Sequence, residues 1–514
     1  MGNSLEETFV FPGQEMAEPI RLALDSPVPK HLPTKISKDE IRTSLCASTL
    51  DGVFATIFTS ITSGVLLSNF LVELQATSFQ IGMLASIPMV ANLLQPLGAY
   101  WADRSTSRRR YSLLVHGISR LFWLPLAIAI MAFCWHPVPP QQMIVATLAV
   151  LFVTHVLAAI GSASWLSWLA VLVPRQLRGR YFGFRNSTFS LTNLIALPLL
   201  GFTVSHWSGG SLQGYGVMVV VAVVAGLISL GFQARMVDVN PQAYWFKTFK
   251  VTALEAKPGA PEGSNEAIAQ PSEPNSSASA GVPSTSEKAH HSMLNNGCFL
   301  LFLLYLGLWA FGMNLSNPFF NLYLLDNLAF DVSWVTIYTS LGAGANLLML
   351  LVWGKLADRI GNRAILLLDG LLVALIPLFW LGTDATSLSI WLWFPLLHLL
   401  GGGVGAAIDL CINNLQLAIA PVQHHTKYFA ITAAVGGVAG AMGALAGGWL
   451  AQFADAGGIK GVFALSTILR LIALLPLVCL QEPQRRSLRQ TLQRFIQPTY
   501  SYFFKTRVEA TTKL

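Results

Sequence analysis

Several long apolar stretches of this sequence contain an acidic residue, and an ionised side chain is expensive there unless it is paired or functional. Asp409 lies twelve residues before Pro421, a residue type that ends helices. At the usual rise per residue this spacing corresponds to about 18 Å of helix. Asn413 follows one helical turn later on the same face, and Asn414 adjoins it. This polar stripe predicts a site for substrate or a proton; the alternative is a buried aspartate satisfied by neighbouring helices.

A second candidate acid, Asp51, lies in the first apolar stretch, about 13 Å of helix beyond Arg42. We predict that Asp51 binds substrate or a proton, and a structural pair with Arg185 or another base is the alternative. Other ionisable residues in apolar stretches are expected to form structural pairs: His116, Arg120, Asp369 and Arg470.

Aromatic and amide side chains mark two further apolar stretches. His155, Trp165 and Trp168 share one stretch, and Asn314 and Asn317 share another. Rings and amides that line a cavity suit an organic or amphipathic solute. We therefore predict that these residues contact substrate, with simple packing as the alternative for each ring.

The composition indicates which elements position these residues. Of the 514 residues, 53% are hydrophobic and 11% are charged, and the mean hydropathy is +0.56. Soluble domains carry about a quarter charged residues, so these values exclude a soluble protein. The net charge of +7 does not indicate nucleic-acid binding, because the basic residues flank apolar stretches. The five cysteines are far apart, and we expect no metal, cofactor or catalytic residue.

The apolar stretches predict an all-α membrane protein. Twelve of them reach the length of about 20 residues that crosses a bilayer. Their approximate bounds are 46–72, 78–101, 111–134, 142–173, 182–206, 213–235, 297–324, 332–356, 364–382, 388–420, 428–453 and 461–480. The predicted organisation is a tail (1–43), a six-helix half (44–237), a linker (238–295), a second six-helix half (296–481) and a basic tail (482–514). The linker is rich in Pro, Ser, Ala and Gly, which predicts disorder.

Basic residues cluster in alternate loops. The clusters follow the second, fourth, eighth and tenth segments and include Arg104, Arg180, Arg359 and Lys427, whereas acids such as Glu73 mark the intervening loops. By the positive-inside rule, the linker and both termini are cytoplasmic. We expect a multi-pass protein of the plasma or inner membrane of the cell.

Two matches relate the halves to each other. Residues 91–94 and 345–348 both read Ala-Asn-Leu-Leu, and each leads to an Ala-Asp-Arg, at 102–104 and 357–359. Residues 174–182 also match 421–429 at proline, glutamine, basic, tyrosine and phenylalanine positions. Two matches in the same order and the same topological position predict parallel repeats, an arrangement found in transporters.

The loop between the second and third helices resembles the signature of the major facilitator superfamily, Gly-x-x-x-Asp-Arg-x-Gly-x-Arg. The second half matches it at Gly354, Asp358, Arg359, Gly361 and Arg363. The first half keeps Asp103, Arg104 and Arg108, but Ala99 and Thr106 stand in place of the two glycines. Loss of these two glycines bears on how tightly the first-half loop turns, and it leaves the resemblance to the family intact.

The resemblance implies a central cavity lined by helices 1, 4, 7 and 10, and a gate at the cytoplasmic side. It implies that Asp103 meets Thr426 and Lys427 when that gate is closed, and that Asp358 meets the segment from Arg178 to Tyr181, which includes Arg180. The alternative is that both aspartates only set topology.

Together these features predict a secondary active transporter of a small organic solute, working by alternating access as a symporter or antiporter coupled to a proton. The expected partners are the solute, the coupling proton and the lipid bilayer, with no nucleic acid and a monomeric chain. Two alternatives remain: a sensor that binds solute without moving it, and a membrane-embedded enzyme. No nucleophile, metal or ATP-binding motif supports an enzyme.

Overall fold

The computed structural model describes residues 37–105, 107–133, 139–173, 178–239, 297–419, 425–453 and 457–480. Some side chains within these ranges are not described, among them those of Asp103, Arg180, Asp358, Arg359 and Lys427. The C-terminal tail, most of the N-terminal tail and the predicted linker apart from Asp238 and Val239 lie outside the described residues.

Twelve helical spans, α1 to α12, make up the described part of the chain, as predicted, and no β-strand occurs in that part. The first half contains α1 (Lys38–Thr62 and Gly64–Glu73), α2 (Ser78–Asn92 and Gln95–Arg104), α3 (Arg108–Leu121 and Leu124–Phe133), α4 (Pro140–Leu172), α5 (Arg178–Ser205) and α6 (Ser211–Ala234). The second contains α7 (Gly297–Leu322, then a π-helical turn Tyr323–Asn327), α8 (Val332–Ile360), α9 (Asn362–Trp380), α10 (Phe394–Ile419, after a π-helical turn Ser389–Trp393), α11 (His425–Leu450) and α12 (Gly458–Cys479).

Local sequence sets where α1 begins and where it is interrupted. Ser37 and Glu40 form a capping box, which satisfies two N–H groups that have no partner within the helix. The span therefore starts earlier than the apolar pattern predicts. It is interrupted at Ser63 and resumes at Gly64, whose φ of +64° is a conformation that glycine adopts without strain.

The six spans of each half pack in the same pattern. In the first half α1 packs on α5 and α6, and α4 packs on α2 and α3. In the second half α7 packs on α11 and α12, and α10 packs on α8 and α9. This correspondence agrees with the repeat predicted from the two sequence matches.

Aromatic pairs join helical spans within each half. Phe70 of α1 stacks on Tyr215 of α6 with the ring centroids 4.4 Å apart. In the second half Phe320 of α7 lies 4.8 Å from Trp380 of α9 and 4.7 Å from Phe463 of α12, between ring centroids. Such pairs contribute about 0.5–1.5 kcal/mol each beyond the area they bury, so each half is held together by its own contacts.

The two ends of the bundle are distinguished by the chain connection. The end at which α6 stops and α7 starts, joined by residues 240–296, is here named the linker face, and the opposite end the far face. Odd-numbered spans begin at the linker face, because consecutive spans are connected end to end.

The halves pack against each other near the far face. A Cβ placed on Gly82 of α2 would lie 2.5 Å from the carbonyl oxygen of Ala444 of α11, so glycine permits this close approach. At the second seam, Ser205 at the end of α5 donates its hydroxyl hydrogen bond to Asp331 at the start of α8, at 2.5 Å.

Asp331 also caps α8, accepting a hydrogen bond from the backbone N–H of Ser333 at 2.8 Å. Burial by itself raises the pKa of Asp331. The hydrogen bonds from Ser205 and Ser333 outweigh burial, and the pKa lies below its usual value. The carboxylate is therefore the preferred form in this contact between halves.

Toward the linker face the spans pack within their own halves. The second part of α2, Gln95–Arg104, packs on α4, where a Cβ on Gly98 would lie 2.3 Å from the carbonyl oxygen of Ile160. By contrast, α11 packs on the first part of α2, Ser78–Asn92. Among the described residues, packing between the halves is thus concentrated at the far face.

Candidate functional site

The predicted acid of α10 is exposed. No described residue donates a hydrogen bond to the Asp409 carboxylate. Asn413, one turn later, is exposed as well, and its Nδ2 donates to the backbone oxygen of Asp409 at 2.8 Å. The opposite side of α10, with Ala407 and Cys411, is fully buried within the second half. Asp409 and Asn413 therefore share one accessible face, about 15 Å of helix from the linker-face end of α10.

The other polar residues of α10 are engaged in packing. Asn414 donates from Nδ2 to the amide oxygen of Asn362 of α9 at 3.1 Å. Gln416 donates to the hydroxyl of Thr432 of α11. Asn414, predicted as a site residue, thus connects two spans of its own half in this structure.

In the first half, Asp51 is buried and lies among charged residues of neighbouring spans. It accepts a hydrogen bond from Ser229 of α6. The positive charges of Arg120 of α3 and Arg185 of α5 both act on its carboxylate. Arg120 also donates to the backbone oxygen of Gly226 at 2.5 Å. Asp51 thus lies within electrostatic range of Arg185 and Arg120 and has Ser229 as its hydrogen-bond donor, while its role as a substrate or proton site or as a structural pair stays a prediction.

Arg185 is enclosed by two aromatic rings. Its guanidinium carbon lies 4.4 Å from the ring centroid of Trp165 on α4 and 4.3 Å from that of Phe189 on α5. Both distances are typical of cation–π contacts. Trp165 and Arg185 were each predicted from the sequence, but Phe189 was not, although its spacing of one helical turn from Arg185 is visible in the sequence.

The remaining predicted side chains differ in accessibility. Trp168 is fully buried, and its indole nitrogen donates to the backbone oxygen of Val237 at 2.8 Å. The Trp168 ring lies in the interior of the first half, so the prediction that it contacts substrate is not met in this structure. His155 of α4 is half-buried. On α7, Asn314 donates to the backbone oxygen of Ala310 at 2.8 Å.

Arg470 of α12 is a buried cation satisfied by neutral acceptors. Its hydrogen bonds go to Val373 at 2.9 Å, Ser316 at 2.7 Å and the amide oxygen of Asn317 at 3.2 Å, among others. Asn317, predicted as a site residue, therefore also supports a buried arginine. Asp369 of α9 is fully buried, and neither carboxylate oxygen has a hydrogen-bond partner among the described residues. The expected structural pairing of Asp369 is thus not found there.

Two residues of the predicted gate have described surroundings. The guanidinium of Arg104 lies 4.1 Å from the ring centroid of Tyr100, one turn earlier on α2. Around Gly354 of α8 there is open space. The side chains of Asp103, Arg180, Asp358, Arg359 and Lys427 lie outside the described residues, so the predicted latch stays a prediction. Nearby, Arg363 donates to the backbone oxygens of Leu477 and Val478 at 3.1 and 2.5 Å, which holds α9 to the end of α12.

Solved structures of transporters share this arrangement of helices. The crystal structure of D-xylose-proton symporter is 15% identical, with a TM-score of 0.62 over 87% of this chain and 100% of that chain. The inward-open conformation of the xylose transporter XylE from E. coli is 14% identical, with a TM-score of 0.61 over 88% of this chain and 99% of that chain. The nucleoside transporter NupG is 13% identical, with a TM-score of 0.58 over 86% and 98% of the two chains. At these identities the likeness concerns the fold.

Sequence comparison gives the family. No curated protein matches this sequence. The sequence model of the Major Facilitator Superfamily matches residues 52–416 and 298–509, which together extend over most of the chain. The alternative of a membrane-embedded enzyme is thereby set aside. The resemblance seen in the loop signature is confirmed: the chain belongs to the Major Facilitator Superfamily and is a membrane transporter, not an enzyme.

Proposed function

We propose that this protein is a secondary active transporter that moves a small organic solute by alternating access, coupled to a proton bound at Asp409. The observation that carries the proposal is the exposed carboxylate of Asp409 in a chain whose halves pack together at the far face. A carboxylate facing lipid at this depth would cost roughly 3 kcal/mol. Exposure to water in the opening between the halves avoids that cost, and Asp409 then takes up or releases a proton as the opening changes sides.

The proposal assigns the linker face to the cytoplasm, as the positive-inside rule predicts. The structure then corresponds to an inward-open state, with the far-face seams closed. Transport requires those seams to open while the linker-face ends of the halves approach each other. The predicted contacts of Asp103 with Lys427 and of Asp358 with Arg180 belong to that second state.

Proton movement in proteoliposomes tests the coupling. The full chain is reconstituted with an internal pH indicator, and D-xylose, uridine, lactate, succinate and benzoate are added in turn. We expect at least one of these solutes to change the internal pH, and Asp409→Asn to abolish the change. Glu73→Gln is the matched control, because Glu73 is an exposed carboxylate at the far-face end of α1.

The outcomes separate the alternatives. A solute whose uptake changes the internal pH equally in Asp409→Asn removes Asp409 from the coupling. A solute that raises the melting temperature without uptake or pH change indicates the sensor alternative, in which binding occurs without translocation. If none of these solutes binds or moves, the proposal fails for the chemical classes tested.

A further inference from the structure

The buried charges of the first half do not balance. Arg120 and Arg185 each carry a positive charge near Asp51, which supplies one negative charge. Among the described residues, the other titratable side chains that interact electrostatically with the two arginines are His116 and Tyr181. A ring nitrogen of His116 forms a hydrogen bond with the backbone oxygen of Ser112 at 2.9 Å. The Tyr181 hydroxyl donates to the backbone oxygen of Leu45 at 3.2 Å. Neither adds a negative charge, so the cluster retains one excess positive charge.

The excess charge is accessible at Arg185. Arg120 is 7% exposed and donates to the backbone oxygen of Gly226, which places it within the half. Arg185 is partly exposed, its Nε has no hydrogen-bond partner, and no hydrogen bond joins its side chain to another described residue. A buried N–H donor without a hydrogen-bond partner is costly, and a bound anion beside the guanidinium would offset that cost.

The rings around Arg185 restrict how a ligand reaches it. Trp165 and Phe189 both lie against the guanidinium group, with centroids 4.4 and 4.3 Å from its central carbon. The N–H donors lie along the edge of the group, and because Nε is buried, the two terminal nitrogens are the donors that a ligand would reach. An edge of two parallel N–H groups matches the two oxygens of a carboxylate.

Arg185 lies on the side of the molecule where a solute would enter. It is about 10 Å of helix from the linker-face start of α5, between α1 and α4. The exposed residues Asn186 and Ser187 follow it directly. The alignment of the two repeats that matches Tyr181 with Tyr428 also matches Arg185 with Thr432 of the second half. The fold therefore does not require a cation there.

We propose that the transported solute is an organic anion whose carboxylate binds the edge of Arg185, with Trp165 and Phe189 holding the guanidinium in place. The solute supplies the negative charge that the cluster of Asp51, Arg120 and Arg185 lacks. This inference rests on the proposed transport function and names its substrate class. Asp51 then positions Arg185 through its charge and does not contact the solute.

Matched pairs of probes test the need for a carboxylate. The melting temperature of the purified full chain is measured with benzoate and benzamide, lactate and lactamide, and succinate and succinamide. We expect at least one carboxylate to raise the melting temperature in a concentration-dependent way and its amide to leave it unchanged. If no carboxylate stabilises the protein more than its amide does, the proposal is overturned.

Variants then test the residue. For the carboxylate that binds, Arg185→Gln is expected to raise Kd by at least about tenfold, the effect of losing a charged hydrogen bond. Arg185→Lys keeps the charge but loses the two-pronged geometry, so we expect an intermediate Kd. Arg235→Gln is the matched control, because Arg235 stacks on Phe232 at the end of α6, away from the cluster. An unchanged Kd in folded Arg185→Gln overturns the assignment.

Uptake in proteoliposomes separates this inference from the transport proposal. Accumulation of D-xylose or uridine that is unaffected by Arg185→Gln would overturn the anion inference and leave transport standing. Carboxylate binding that depends on Arg185 without uptake of any probe would overturn transport and retain the binding site.

Discussion

Replacing Gly82 by valine places new atoms in the far-face seam between α2 and α11. The added Cβ would lie 2.5 Å from the carbonyl oxygen of Ala444, and an ordinary contact of this kind is about 3.5 Å. The helices must therefore separate by about 1 Å or deform locally. The clash exists only while the far face is closed, so the substitution penalises the state seen here and not a state in which this seam has opened.

The cost sets the size of the expected shift. Overpacking of a close interface costs about 1–3 kcal/mol. Because the cost falls on one of two conformations, it shifts the equilibrium between them by roughly 5- to 150-fold. A protein that rests mainly in the far-face-closed state would then populate the opposite state measurably.

Spin labels on the linker-face parts of α5 and α8 report the shift. Phe184 and Val352 are exposed on those two spans, and each is changed to cysteine after the five native cysteines are replaced. In Gly82→Val we expect a shorter label–label distance to gain population. The control is Gly231→Val, because the space around Gly231 on α6 is open.

An unchanged distance distribution in folded Gly82→Val would refute the prediction that closure of this seam limits the opposite state. The same shift in Gly231→Val would also refute it, since that change adds no contact between halves. The melting temperature and elution profile of each variant establish that the compared proteins are folded.

Ser205→Ala and Asp331→Ala should each lower the melting temperature at neutral pH. Because the folded-state pKa of Asp331 is depressed, the stability that its carboxylate contributes is present above the unfolded pKa of about 4 and is lost as pH falls through the folded pKa. The difference in melting temperature between each variant and the parent should therefore shrink below about pH 4. Trp353→Phe removes a buried indole hydrogen bond to Gly403 and should lower the free energy of unfolding by about 1 kcal/mol in denaturant titrations. Arg470→Met leaves several buried acceptors unsatisfied and should sharply reduce the yield of monodisperse protein, whereas exposed Arg110→Met should not.

The sequence by itself determined the fold class and its repeat. Hydropathy is a local and additive property, and a span of about 20 apolar residues has few alternatives to crossing a bilayer. The loop signature around Asp358 and the match of residues 174–182 to 421–429 then related the halves. The early start of α1 at its capping box lay outside the apolar pattern, because caps depend on polar residues beyond the hydrocarbon region.

Which polar residues meet was decided by the tertiary structure. Asp51 accepts from Ser229, Arg185 lies against Trp165, and Asp369 has no partner among the described residues. A linear pattern places a residue on a face of its own helix but does not fix which neighbouring helix that face meets. Tilt, rotation and the relative position of the two halves set those contacts, and all three arise from packing between segments far apart in the chain.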